Sequence, residues 1–197
     1  TSGSGDDSIL FSALGSDNSI RRNNNSIATG TGNDTIAGGY GRDTIDGGDG
    51  DDLLILDYSQ NTHLSGSVTP GIRTTLSNAN NTITFKAHNA NSFTSYDEAR
   101  ISNVEHFSIV GTNTSDQITT SAGNDTIQGL DGDDTINGAA GNDSLFGGNG
   151  NDVFSNNIGF DTIDGGDGID TLVNADFSLA EQALTIDDSS SNTLLIT

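Results

Sequence analysis

Aspartate is the residue type through which this sequence can do chemistry, and it recurs at a fixed interval. It stands at Asp34, Asp43 and Asp52, and again at Asp116, Asp125, Asp134, Asp143, Asp152, Asp161 and Asp170, every step within a run being nine residues. Around it lies the unit G-G-x-G-x-D-x-U-x, numbered here one to nine with U apolar; GGYGRDTID (38–46) and GGDGDDLLI (47–55) follow one another without a gap. Position eight carries Ile36, Ile45 and Leu54, then Ile118, Ile127, Ile136, Leu145, Phe154, Ile163 and Leu172. Upstream, Asp7 and Ile9 fit the unit, but Asp17 and Asn25 fall at irregular spacing, so residues 1–27 read as a degenerate edge. A carboxylate beside glycine turns, whose carbonyls are unshielded by side chains, is the donor set of an oxygen-ligand metal site.

The elements that must position these carboxylates follow from the unit itself. Its first six residues are turn-formers, with glycines that reach positive φ at no steric cost, and its last three (DTI, LLI, SLF) suit a very short strand. Each unit is therefore half a coil. Two units make a turn of eighteen residues, and the next turn stacks at roughly 4.8 Å along a parallel sheet. The apolar residue at position eight points inward from each side, which gives a narrow core. A helix is excluded, because glycine at three positions in nine would cost roughly 1 kcal/mol each.

Stacking sets each aspartate beside the one eighteen residues on. At about 4.8 Å and an effective dielectric near 20, two carboxylates repel by about 3 kcal/mol before salt screening. A hard divalent cation between the rungs reverses that sign. Ca²⁺, which accepts six to eight oxygens in flexible geometry, suits glycine turns better than Mg²⁺, and Zn²⁺ is disfavoured because there is no Cys and no cluster of His.

These residues resemble the hemolysin-type, or RTX, calcium-binding repeats, over about 28–55 and 111–172 and more weakly over 1–27. The resemblance implies an all-β fold, a parallel β-roll (a right-handed β-solenoid of nonapeptide half-coils). It further implies Ca²⁺ held by the carbonyls of positions two and four with the Asp of one turn, and those of positions one and three with the Asp of the turn eighteen residues later. One implied site takes Gly30, Gly32 and Asp34 with Gly47, Asp49 and Asp52. Others take Ser121, Gly123 and Asp125 with Gly138, Ala140 and Asp143, and Leu130, Gly132 and Asp134 with Gly147, Asn149 and Asp152. Two more take Ala139, Gly141 and Asp143 with Asn156, Ile158 and Asp161, and Gly148, Gly150 and Asp152 with Gly165, Asp167 and Asp170. Gly39, Gly41 and Asp43, and Gly50 with Asp52, offer first-turn donors, while Asp116 pairs with Gly129, Asp131 and Asp134 although Thr112 and Thr114 replace its glycines. Roughly six to eight ions would cancel roughly twelve to sixteen negative charges.

Composition agrees with a fold that needs help from metal. Only 31% of the 197 residues are hydrophobic and 6% aromatic, thin for an ordinary core. The formal charge is −22, and of the 28 acidic residues three are Glu (Glu98, Glu105, Glu181), the other 25 being Asp. Such a charge argues against nucleic acid or an anionic membrane as partner. The absence of Cys excludes disulfides and thiol chemistry, and no apolar run is long enough to span a bilayer as a helix. The first residue already lies inside a repeat, so the chain reads as a piece of something longer.

The sequence divides into repeats at 1–55, a β-rich insert at 56–110, the main repeats at 111–172 and a β-rich tail at 173–197. In the insert LSGSVTPGIRTTL, NNTITFKA and RISNVEHFSIV read as short strands around Pro70-Gly71 and Asn-rich turns, with YDEA as one helical turn. Arg73, Lys86, Arg100 and all three His lie there. The turn-out LLILDYS is echoed by TLVNADFS and NNTIT by SNTLLIT, which suggests a second insert beginning in the tail. The insert either separates two rolls or loops out of one; the continuous version, which the re-entry FSIVGTNTSDQI favours, pairs Asp43 with Asp116 and Asp52 with Asp125.

His63, His88 and His106 have no ligand spacing, and Asp97, Glu98, Glu105 and His106 read as surface polar residues with no nucleophile beside them. Tyr58, Phe107 and Phe177 read as core aromatics where roll meets insert. The NDT and NDS tripeptides at Asn33, Asn124 and Asn142 arise from the repeat itself, and Thr rows at position seven are broken by Leu53, Ser144 and Val153. The expected function is a non-catalytic, calcium-folded module of a secreted bacterial surface protein or adhesin. Its partners would be calcium ions, neighbouring modules of the same chain or a cell-surface polysaccharide; the resemblance implies type I export. The rival is the accessory domain of a secreted protease, lipase or epimerase, for which a catalytic motif elsewhere in the parent chain would speak.

Overall fold

A computed structural model of the chain describes residues 3–10, 24–38, 41–59, 71–77, 82–88, 96–155, 158–173, 183–187 and 193–196. Among these the regular structure is all β-strand. In chain order the strands are β1 (Gly3–Ser4), β2 (Ser8–Leu10), β3 (Ser26–Thr31), β4 (Thr35–Ala37), β5 (Arg42–Asp49), β6 (Leu53–Asp57), β7 (Ile72–Ser77), β8 (Thr82–His88), β9 (Tyr96–Ser102) and β10 (His106–Val110). They continue as β11 (Gln117–Thr119), β12 (Thr126–Asp131), β13 (Thr135–Asn137), β14 (Ser144–Asn149), β15 (Val153–Ser155), β16 (Phe160–Asp167), β17 (Ile169–Val173), β18 (Ala183–Asp187) and β19 (Thr193–Ile196).

Consecutive nonapeptides supply strands to opposite sheets, so that each sheet is built from every second unit. Eleven strands run in the order β1-β3-β5-β9-β8-β7-β11-β13-β15-β17-β19, and eight in the order β18-β16-β14-β12-β10-β6-β4-β2. Pairs between repeat strands are parallel and eighteen residues apart, as at Thr126↔Ser144↔Thr162 and Thr135↔Val153↔Thr171, except at the degenerate edge, where β1 and β2 pair with β3 and β4 across 27 residues, as at Gly3↔Gly30 and Ser8↔Thr35. The fold is a parallel β-roll. Each position-eight residue from Ile36 to Leu172 is at most 2% exposed, and the two rows meet in a single shared core. A lone apolar residue in nine suffices, because every rung contributes one from each side.

The insert is woven into this roll and does not loop away from it. In the first sheet β9 lies parallel to β5, β8 antiparallel to β9, β7 antiparallel to β8, and β11 parallel to β7. Two reversals cancel, so a three-strand meander can be spliced into a parallel sheet without disturbing its direction. In the second sheet β10 alone fills the gap, parallel to both β6 and β12. Phe85 from the meander reaches the Phe107 ring on β10, with centroids 6.0 Å apart and planes tilted by 52°. Both rings and Tyr58 are at most 1% exposed.

This splice overturns four expectations. Asp43 sits beside Ala99 rather than Asp116, and Asp116 receives the Ile72 amide instead. Asp52 sits at the level of Glu105, not Asp125, because inserted strands separate the two runs of repeats. Tyr96–Ser102 is a strand, not a helical turn, since it completes the hydrogen bonding of both β5 and β8. Asp97 and Glu98 are 6% and 3% exposed and hence not surface residues: Asp97 accepts the Gly41 amide at 3.0 Å, and Glu98 is bonded to Arg100.

In the tail, β18 and β19 pair in parallel with β16 and β17 and so extend both sheets. The echo of NNTIT by SNTLLIT is therefore not a structural equivalence, for β8 is antiparallel to its neighbours and β19 is parallel. Gly39, Asn156, Asp17, His63, Pro70 and Phe177 lie outside the described residues.

Candidate metal centres

All ten position-six aspartates are buried, from Asp52 and Asp152 at 0% exposed to Asp170 at 4%. Their burial follows from the unit: the short strand turns the side chain at position six back under its own glycine turn. One carboxylate oxygen, Oδ1, accepts the backbone N–H of the aspartate eighteen residues earlier. The distances are 2.8 Å for Asp34 to Asp52, 2.7 Å for Asp116 to Asp134 and 2.9 Å for Asp125 to Asp143. They are 2.8 Å for Asp134 to Asp152, 3.0 Å for Asp143 to Asp161 and 2.9 Å for Asp152 to Asp170. At the degenerate edge Asp7 donates in the same way to Asp34 across 27 residues, and Asn25 to Asp43 across 18.

The other oxygen has a different environment. Oδ2 of Asp7, Asp34, Asp52, Asp125, Asp134, Asp143 and Asp152 is buried with no hydrogen-bond donor. A buried anionic oxygen without a partner costs several kcal/mol, so a row of them calls for a bound cation. The cradle is visible at position one. A Cβ on Gly129 would stand 2.1 Å from Asp134 Oδ2 and 2.6 Å from the Gly147 carbonyl, and one on Gly147 2.2 Å from Asp152 Oδ2 and 2.5 Å from the Gly165 carbonyl. A Cβ on Gly138 or Gly165 would stand as close, 2.2 Å from Asp143 or Asp170 Oδ2. Glycine at position one leaves this space in these four units, whereas Thr29 and Thr120 hold that position before Asp34 and Asp125 and donate Oγ1 to the Gly47 and Gly138 carbonyls of the next turn.

The turns beyond it stack carbonyl over glycine. Position-two and position-four carbonyls face the turn above, Leu130 toward Gly148, Gly132 toward Gly150, Gly148 toward Gly166 and Gly30 toward Gly48. Position-three carbonyls already accept an amide from the turn below: Asp49 from Gly32, Ala140 from Gly123, Asn149 from Gly132, Ile158 from Gly141 and Asp167 from Gly150, all within 2.7–2.9 Å. Ile158 is 48% exposed, so its bulk points to solvent and leaves the turn intact. Asp131 is exposed and bonds Asn149 Nδ2. Ser121 and Gly123 lie in the turn before Asp125, and Glu105 presents its carbonyl toward Gly123. Asp116 differs, since both its oxygens accept bonds from Thr112, as the loss of glycine at that turn allows.

Position two has a conformational requirement of its own. Gly30, Gly48, Gly148 and Gly166 adopt φ between +90° and +115°, and Leu130 (+83°) and Ala139 (+64°) are held there despite their side chains. A Cβ on Gly148 would meet the Leu130 carbonyl at 1.9 Å. Gly148→Ala is expected to destabilise the calcium-loaded roll by about 2 kcal/mol or more, from strain plus backbone clash. Urea unfolding in millimolar Ca²⁺ measures it; an unchanged midpoint would mean that the turns do not stack this closely.

Removal from water raises the carboxyl pKa values above the usual carboxylate range. Burial, followed by like charges on Asp116, Asp152 and Asp133, lifts Asp134 to about 8 against the bond from the Asp116 amide. Burial with Asp125 and Asp161 nearby lifts Asp143 to about 7, and Asp116, Asp125 and Asp152 reach about 6. Burial also raises Asp52 and Asp161.

Among the described residues no three His, Cys, Asp or Glu side chains converge on one point. Each pair of rungs supplies two carboxylates, so the remaining donors are backbone carbonyls. Such a set fits Ca²⁺, which accepts carbonyls in irregular geometry, and not a metal that demands thiolate or imidazole.

Position five has a structural role that the unit's consensus hides. Its Asn and Asp side chains form a second, exposed ladder: Asn124 Oδ1 accepts the Asn142 amide at 2.8 Å, Asn142 the Phe160 amide at 2.9 Å, and Asp133 the Asn151 amide at 2.8 Å. The recurring ND and DD before position seven was the signal for it. His106 joins this ladder across the splice, with Nε2 2.8 Å from Asp51 and Nδ1 accepting the Asn124 amide at 2.9 Å.

Stacked glycine turns over a ladder of buried aspartates define a calcium-binding β-roll. The family model of the RTX calcium-binding nonapeptide repeat, which describes four copies, matches residues 22–54 and, in overlapping stretches, 110–145, 119–154, 130–163 and 155–173. The chain belongs to this family. No curated protein matches it.

Proposed function

We propose that the roll is a non-catalytic module of a secreted surface protein or adhesin, that Ca²⁺ is its folding switch, and that roughly six to eight ions occupy the turns in the ligand sets given above. The observation that carries this reading is the row of buried Oδ2 atoms without donors, of which those of Asp52, Asp134 and Asp152 share a glycine cradle with a carbonyl of the next turn. In low calcium the buried carboxylates oppose closure of the coil; in millimolar calcium each ion joins two rungs. Folding free energy is then binding free energy. Among the described residues no helix is long and apolar enough to cross a membrane. A surface-protein setting, as opposed to an enzyme's accessory domain, draws on the recurrence of the turn-out LLILDYS as TLVNADFS.

Asp134 tests the ligand assignment, because it is hydrogen-bonded both to the turn below and to the turn above and would serve two ions. Asp134→Asn keeps the acceptor for the Asp116 amide and removes the charge. Equilibrium dialysis at saturating Ca²⁺ is expected to show two ions fewer than in the wild type; an unchanged count would remove the assignment.

A further inference from the structure

The splice between roll and insert contains an oxygen cluster that departs from the nonapeptide pattern. In the second sheet Leu53 pairs with His106, which brings Glu105 to the level of Asp52. In the first, Asp46 pairs with Ser102, which brings Asn103 to the level of Gly47. The nonapeptide takes five steps from Gly47 to Asp52; the insert takes two from Asn103 to Glu105. Its turn is three residues shorter, and its carboxylate is one methylene longer.

The longer side chain closes the gap. Glu105 Oε2 accepts the Asp52 amide at 3.0 Å, the bond that an aspartate Oδ1 makes to the amides of Asp34, Asp116, Asp125, Asp134, Asp143 and Asp152. A Cβ on Gly47 would stand 2.0 Å from the Asn103 carbonyl and 2.4 Å from Asp52 Oδ2. The same probe at Gly129 meets the Gly147 carbonyl and Asp134 Oδ2. Asn103 aims its carbonyl inward from the left-handed region, at φ 50°, and its Nδ2 donates to Asp46 at 2.8 Å to hold it there. Asp52 is 0% exposed, and its Oδ2, directed into this cluster, has no donor. That orphaned oxygen points to a ligand independently of the acidic neighbours.

We propose that Asp52, Glu105 and the Asn103 carbonyl form a divalent-cation site, suited to Ca²⁺ by its all-oxygen donors, that ties the insert to the first run of repeats. The proposal rests on the reading of the repeat turns as calcium sites, whose cradle this one reproduces with residues of the insert. It also explains how the same short turn serves two neighbours. Toward Asp52 it presents a carboxylate in place of position six. Toward the next turn it presents the Glu105 carbonyl to Gly123 as position four, leaving Phe107 to donate its amide to Asp125 Oδ1 at 2.9 Å. The register thereby shifts by two residues at the splice.

The test is a crystal structure of residues 1–197 grown in Ca²⁺, together with ion counts by equilibrium dialysis. The expected result is density for an ion about 2.3–2.6 Å from Asp52 Oδ2, the Asn103 carbonyl and a Glu105 oxygen. Glu105→Gln, which retains an acceptor for the Asp52 amide, is expected to bind one ion fewer than the wild type. Asp57→Asn, at an exposed carboxylate at the far end of β6, is expected to bind the full number. Ions in the repeat turns with none at the splice, or an unchanged count in Glu105→Gln, would overturn this site and leave the repeat sites standing. No ion anywhere in the wild type would overturn both. Should Glu105→Gln fail to fold, the wild-type crystal decides alone.

Discussion

Stripped of divalent cations at pH 8, the chain is expected to lose its β-roll and to regain it in millimolar Ca²⁺, with the transition followed by circular dichroism. The opposing terms have comparable size. Two carboxylates one rung apart repel by about 3 kcal/mol at an effective dielectric near 20, and the aspartates of the ladder are all buried, where mobile salt screens them poorly. One site at a hundredfold excess over its Kd contributes about 2.7 kcal/mol, so a few saturated sites equal the typical 5–15 kcal/mol stability of a domain. Sodium chloride at matched ionic strength should not substitute, because it neutralises exposed charge only. Mg²⁺ should be a poor replacement, since it demands near-ideal octahedral geometry that glycine carbonyls do not offer. β-Structure that persists in chelator at pH 8 would refute the switch.

Acid is expected to replace calcium in part. The sign follows from the aspartates, whose carboxyl pKa values lie above the ordinary 3.8: about 8 for Asp134, about 7 for Asp143 and about 6 for Asp116, Asp125 and Asp152. The metal-free roll binds more protons than the unfolded chain between these limits. Its stability is therefore complete below about pH 3.8 and is lost as pH rises through 6 to 8. Calcium-free protein should show more β-structure at pH 4.5 than at pH 8. Calcium affinity should run the other way and rise with pH across the same window, because each ion must displace protons from the carboxylates it binds. Equal unfolding at both pH values in the absence of Ca²⁺ would show that desolvation of the carboxylates is not the barrier to closing the coil.

Much of this was legible in the residues because the repeat is local. The nine-residue step, the inward position eight and the pairing of aspartates eighteen apart depend only on which residues can form a tight turn and which a short strand. The insert was legible as β-structure but not in its placement. Asp97 and Glu98 are buried by β5, more than fifty residues away in sequence, and no pattern within YDEARIS announces that neighbour. The same distance hid the fact that the strand at Tyr96 joins a parallel partner on one side and an antiparallel partner on the other.

The site divides along the same line. Which oxygen of Asp134 or Asp152 is held by an amide, and which lies bare beside a carbonyl, depends on the stacking of whole turns. So does the role of Glu105, which in sequence is one acidic residue beside a histidine and in the roll occupies the place of a position-six aspartate. By itself the sequence determined the unit, its period and the class of cation, because glycine, aspartate and one apolar residue in nine admit few other chemistries. Only the tertiary structure decided that the two runs form a single roll through a spliced meander, since strand order is set by hydrogen bonds between residues far apart in the chain.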